Sequence, residues 1–148
     1  MSQLKTRVAE DIKSAMRARE TERLSVLRML SAELKQREVV ESTEITDAVV
    51  QSAVEKMIKQ RRDSERQFRD AGRNELADKE AAEIDVLMAY LPQQFGDAEI
   101  SALIAEAIST TGAAGPKDIG KVMSWIKPKA QGRTDMAQLS ARIKAALG

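Results

Sequence analysis

Cysteine and histidine are both absent from the 148 residues. Their absence excludes thiol nucleophiles, histidine bases, disulfides and zinc sites of the Cys/His type. Aromatic residues make up 3% of the chain and prolines number three. Most apolar content therefore comes from Ala, Leu, Ile, Val and Met, a mixture that suits helices rather than sheets. No apolar run approaches the length needed to span a membrane. The opening MSQLKTRVAEDIK lacks the hydrophobic stretch of a signal peptide, and Glu10 and Asp11 set it apart from a transit peptide. The expected location is cytoplasmic. No metal or cofactor motif is visible, and a chain of this length buries roughly two thirds of its surface without such a staple.

What is present is charge, and it is patterned. The formal net charge is only +1. Yet Lys117 to Arg133 holds five basic residues against Asp118 alone, and Lys56 to Arg73 holds seven against Asp63, Glu65 and Asp70. Each segment carries a local excess of four positive charges. Local patches of this kind matter more to an anionic partner than the overall sum.

Apolar periodicity predicts an all-α, multihelical fold in two subdomains. Leu4, Val8, Ile12 and Met16 form one stripe, and Leu24, Leu27, Leu30 and Leu34 form a second after a break near Thr21. Thr46 reads as the N-cap of a long helix carrying Val50, Val54, Met57, Ile58 and Phe68 and stopping at Gly72. A fourth helix carries Leu76, Ile84, Leu87, Met88 and Leu91 and ends at Pro92. These four occupy residues 1–94. Residues 95–148 hold three shorter helices. The first carries Ile100 to Ile108. The second starts at Gly115-Pro116, with Ile119, Val122, Met123 and Ile126 inward, and runs to Pro128. The third is capped by Asp135.

GPKDIGK, residues 115–121, fits the spacing of a phosphate-binding P-loop. The surroundings do not. A working P-loop follows a buried strand and places a hydroxyl after the lysine, whereas here helical LIAEAISTT precedes it and Val122 takes the hydroxyl position. Pro116 also removes one backbone donor. The alternative is a helix on which Gly120 permits close approach of another backbone and Lys121 faces away from the core. Lys129, Gly132 and Arg133 follow in a loop. Lysine, arginine and glycine so arranged suit phosphate recognition, and a solvated charged face produces the same pattern.

Taken together, Asp118-Ile119-Gly120-Lys121-Val122-Met123 and Pro128-Lys129-x-x-Gly132-Arg133-x-Asp135 resemble the signature of GatB/YqeY proteins. Leu27-Arg28-Met29-Leu30, Lys59-Gln60-Arg61-Arg62-Asp63-Ser64, Ala71-Gly72-Arg73 and Tyr90-Leu91-Pro92-Gln93-Gln94 extend the likeness in the same order. This resemblance implies a free-standing relative of the tail of the B subunit of tRNA-dependent amidotransferases. That tail helps hold aminoacyl-tRNA, while glutamine-dependent carbon–nitrogen ligation occurs elsewhere in the complex. Ser124-Trp125-Ile126-Lys127 and Ala130-Gln131 depart from the family pattern, and one expected cation before Gly132 is missing.

The expected role is a non-catalytic, translation-related module that binds tRNA or another structured RNA. Lys117, Gly120, Lys121, Lys129, Gly132 and Arg133 are the candidate contacts, and Lys59, Arg62, Arg66, Arg69 and Arg73 form a secondary basic ridge at helical spacing. Trp125 either stacks on a base or packs under a partner, or is buried against the neighbouring helix or the first subdomain. Arg61 falls on the apolar face, where it needs an acidic partner or binds another molecule. The alternative function is a helical protein–protein adaptor docking on an amidotransferase or other translation enzyme. Carboxylates such as Glu80 and Glu83, with Asp78 beside them, could in principle perform acid–base chemistry, but they read as a solvated face with no accompanying nucleophile.

Overall fold

Ser2 opens the first helix by accepting the Lys5 N–H, and its own hydroxyl donates to Asp47 Oδ1 at 2.5 Å. Asp47 also accepts the Leu4 N–H at 3.1 Å. The start of one helix is thereby tied to the start of another, 45 residues away. The computed structural model describes residues 2–148, and among these there are seven α-helices and no strand. They divide into two compact units, Met1–Leu91 and Pro92–Gly148.

The first unit contains α1 (Gln3–Arg17), α2 (Thr21–Val39), α3 (Asp47–Asp70) and α4 (Asn74–Met88). Thr46 caps α3 through the Val49 N–H, as its position before the apolar run predicts. Gly72, with φ +73, makes the left-handed turn into α4. Val8, Val26, Leu27, Leu30, Val50, Val54, Ile58 and Leu87 form the centre of the core. Buried residues on α3 end at Arg61, and those on α4 begin at Ala77. The hairpin tip between them therefore lacks a core of its own.

Tyr90 closes this unit just beyond α4. It is 2% exposed, and its hydroxyl donates to Asp11 Oδ2 at 2.5 Å. Arg7 lies over the ring, 4.9 Å from its centroid, and also pairs with Asp11 at 3.7 Å. Burial first, and then the bond to Asp11, holds the Tyr90 phenol well above its ordinary range.

Two expected core positions lie at the surface. Met16 is 52% exposed: Ala15 takes the buried place in the last turn of α1, and α2 opens with the polar residues Thr21, Glu22 and Arg23. Leu76 is 41% exposed in the coreless tip.

The second unit contains α5 (Asp97–Thr111), a 3-10 turn (Pro116–Asp118), α6 (Ile119–Ala130) and α7 (Met136–Leu147). Its core is formed by Ile104, Ala107, Val122, Ile126, Ala130, Leu139 and Ile143. Gly112 ends α5 in the left-handed conformation. Asp135 caps α7 by accepting the Ala137 and Gln138 N–H groups. Pro128 does not stop α6, which continues to Ala130. Proline leaves the carbonyl four residues earlier unpaired, here that of exposed Ser124, where water can satisfy it. Residues 92–94, grouped by sequence with the first four helices, bond within the second unit: Gln93 and Gln94 both contact the loop after α6.

Candidate nucleic-acid interface

In the second unit the candidate cations lie at both ends of α6. Lys117 sits on the 3-10 turn, exposed, beside Asp118 in sequence. The side chain of Lys121 is 66% exposed, with Nζ 3.8 Å from Asp118 Oδ1. That carboxylate also accepts the Ala114 N–H at 2.9 Å. The backbone bond, with Lys121 adding its charge, holds the Asp118 carboxyl below its ordinary value of 3.8. Asp118 thus fastens the loop ahead of α6, while its exposed pairing with Lys121 is loose.

Lys129 and Arg133 are held differently. Lys129 Nζ stands 4.0 Å from the Trp125 ring centroid, one turn back on α6. Arg133 Cζ stands 3.8 Å from the Phe95 centroid, and its Nε donates to the Gln93 carbonyl at 2.9 Å. The Arg133 backbone is bonded on both sides: its N–H donates to the Ala130 carbonyl at 2.9 Å, and its carbonyl accepts the Phe95 N–H at 2.8 Å. Gln94 Nε2 donates to the Gly132 carbonyl at 2.7 Å. Gly132 has φ +80, a conformation that a side chain would strain. This glycine therefore sets the turn that delivers Arg133 to Phe95.

No carboxylate lies within ion-pair distance of Lys129 or Arg133 among the described residues. An aromatic face positions a cation through its quadrupole without cancelling the charge. Both groups are thus oriented without a charge partner at ion-pair distance. Their holders, Phe95 and the Gln93 carbonyl, were missed in the sequence, and Trp125 was read there as a base-stacking or packing residue. Of the four aromatic residues in the chain, Tyr90, Trp125 and Phe95 each lie under a cation, and of these pairs only Trp125 with Lys129, four residues apart on one helix, is signalled by spacing. Trp125 is half-buried at the edge of the second core, with Lys129 on its ring.

Gly120 has no close neighbour within the described protein. A Cβ built there meets no atom within 4 Å, so no backbone approaches it closely. The residue lies on the exposed side of the first turn of α6.

The ridge of Lys59, Arg62, Arg66, Arg69 and Arg73 belongs to the first unit and is exposed throughout. Arg66 pairs with Asp63 at 2.9 Å. Arg69 pairs with Asp78 at 3.0 Å and Glu65 at 3.6 Å. Such surface pairs add little stability, but they reduce the field a distant anion would feel. Arg61 is buried, with 7% of the residue exposed, and its Nε donates to Glu83 Oε2 at 3.1 Å. The remaining guanidinium nitrogens donate to the Met57 carbonyl and to Met29 Sδ, each at 3.4 Å. Arg61 thus has the acidic partner that its burial demands. Glu83 and Asp78 are each engaged by an arginine, and Glu80 has its carboxyl raised above the ordinary value, by burial first and by Glu83 second.

Residues 5–147 match the family model described as Yqey-like protein. The chain belongs to this family. The Yqey-like match spans both units, and the family is that of the GatB tail domain. A protein of Pyrenophora tritici-repentis named "Altered inheritance of mitochondria protein 41, mitochondrial" is 30% identical over 145 residues, covering 96% of this chain and 80% of its own length. One of the same name from Lachancea thermotolerans is 26% identical over 141 residues, covering 90% and 75%. Both similar proteins are named as mitochondrial, which overturns the cytoplasmic location expected from sequence. That expectation rests on the composition of the opening segment, which from Gln3 onward is helix α1 of the first unit, and the composition of a folded helix does not report a compartment. No described helix is long and apolar enough to cross a membrane.

Proposed function

We propose that this Yqey-like protein is a non-catalytic RNA-binding module, with tRNA as its RNA, that serves glutamine-dependent aminoacyl-tRNA amidation as an accessory. The observation that carries this reading is the pair of oriented, uncancelled cations Lys129 and Arg133. With Arg133 Nε fixed on Gln93, the two Nη groups present a planar fork to a phosphate. Lys129 supplies a point charge, and exposed Lys117 and Lys121 extend the surface towards the other end of α6. The contacts are to the phosphate backbone, so they hold and position RNA without reading its bases.

Binding of tRNA and of an unrelated structured RNA, measured at 50 and 200 mM salt, tests this. Three neutralised phosphates give a fall of about 40-fold between these concentrations. A flat salt response, or undiminished binding after Lys129→Glu with Arg133→Glu, sinks the proposal.

A helical adaptor is the second reading, favoured by Val39 and Val40, which are 68% and 73% exposed at the end of α2. Adjacent β-branched residues this open to water suit a protein contact. Pull-down after nuclease treatment decides between them: recovery of one protein that is lost in Val39→Asp/Val40→Asp supports the adaptor.

A further inference from the structure

Met29 lies on α2 with half its surface open to solvent, yet its sulfur has a buried cationic neighbour. It is 52% exposed, and Sδ accepts a hydrogen bond from Arg61 Nη2 at 3.4 Å. Arg61 is in turn held by Glu83 on α4 and by the Met57 carbonyl on α3. One guanidinium thus touches three helices, and its contact with α2 is the weakest in kind, because a thioether is a poor acceptor.

Oxidation would change that acceptor. In the reaction with a peroxide, the O–O bond breaks, one oxygen is transferred to the sulfur lone pair, the sulfur is oxidised by two electrons and the peroxide leaves as water or alcohol. The product carries a strongly polar S–O group, and a sulfoxide is reversible by dedicated reductases that draw on thiols. In an apolar core such a group is disruptive. At Met29 the side chain is exposed enough to admit the oxidant, and a charged donor already faces the sulfur.

We propose that Met29 is a reversible oxidation site whose sulfoxide oxygen is bound by Arg61, so that oxidation fastens α2 to the Arg61–Glu83 pair. Met16 provides the internal contrast: it is equally exposed, at 52%, but its sulfur has no hydrogen-bond donor among the described residues. Met57 provides the other, being 5% exposed.

The test uses the full chain carrying Met16→Leu, treated with dilute hydrogen peroxide and mapped by peptide mass spectrometry. Sulfoxide is expected at Met29 before Met57, with the melting temperature of the oxidised protein raised by about 2–4 °C, the scale of one improved charge-assisted hydrogen bond. Reduction by a methionine sulfoxide reductase with dithiothreitol is expected to return it to the starting value. The Met16→Leu/Met29→Leu protein should show no rise. In Met29→Gln the amide oxygen stands in for the sulfoxide, so it should melt above Met29→Leu without oxidant. A Met29 that stays reduced while Met57 oxidises overturns the proposal. So does an oxidised Met29 with an unchanged or lower melting temperature.

Discussion

Arg61 in the first unit and Arg133 in the second are both fixed in place, by opposite means. Arg61 is buried and gives its charge to Glu83, with further bonds to Met57 and Met29. Arg133 is braced by the Phe95 ring and a backbone carbonyl, with no carboxylate at ion-pair distance. The first arrangement ends inside the molecule, because every strong interaction of the cation is satisfied there. The second leaves a charge that is ordered but not neutralised. For arginine, then, being well anchored does not separate a structural role from a binding one; the chemistry of the anchor does.

The largest effect that can break this comparison is on stability. Arg61→Ala leaves Glu83 partly buried without its partner, and a loss of about 3 kcal/mol is expected in urea unfolding. The double change Arg61→Met/Glu83→Leu should recover most of it, because the uncompensated charge is removed with its partner. A loss below about 1 kcal/mol in the single variant would show that the pair is as dispensable as a surface bridge.

Arg133→Ala is expected to behave in the opposite way. Stability should fall by only about 1 kcal/mol, the scale of an exposed cation–π contact with one hydrogen bond. RNA affinity should weaken several-fold, and the slope of its salt dependence should drop by about one. Phe95→Leu, which keeps the charge and removes the brace, should give a smaller loss of affinity with an unchanged salt slope. Equal slopes in Arg133→Ala and the native protein would mean that this cation meets no phosphate.

A smaller effect depends on pH and compares the two units through their helix-start carboxylates. Asp47 in the first is held below its ordinary value by the Ser2 hydroxyl and then by the Leu4 N–H, and Asp118 in the second by the Ala114 N–H. A lowered folded-state pKa contributes stability above the unfolded value, and this is lost as pH falls through the folded one. The advantage of the native chain over Asp47→Asn and over Asp118→Asn should therefore be full near neutral pH and shrink as pH drops below about 4. Melting temperatures from pH 7 to pH 2 check this, and an advantage that grows towards acid contradicts the assigned hydrogen bonds.

The helices were legible because their signals are local. Apolar steps of three and four residues, Thr46 before a stripe and Asp135 ahead of Gln138 are all read within a few positions. Arg61 was legible as an anomaly, a charge on an apolar face, although Glu83, 22 residues away, could not be chosen from among its acidic neighbours. Phe95 under Arg133 joins residues 38 positions apart through a turn set by Gly132, and no periodicity reports such a pairing. Met16 was misplaced for a related reason: its stripe is correct, but the start of α2, Thr21-Glu22-Arg23, offers no apolar cover. Periodicity fixes the face of a helix; how far that face is covered depends on its neighbours.

Gly120 gives the smallest expected effect and separates backbone from charge within the second unit. It lies in the first turn of α6 with no positive φ, and a Cβ there meets nothing within 4 Å. Alanine at such a site narrows the unfolded ensemble without straining the folded one, so Gly120→Ala should stabilise by about 0.5 kcal/mol. If Lys121 and Lys117 meet RNA through their long side chains alone, binding should be unchanged, because a methyl group does not block an exposed lysine. If instead the RNA backbone packs directly on the bare Gly120 surface, the same methyl should weaken binding while the protein still becomes more stable. Measuring both quantities on one variant thus shows whether this end of α6 contributes only charge or also a surface on which a phosphate backbone rests.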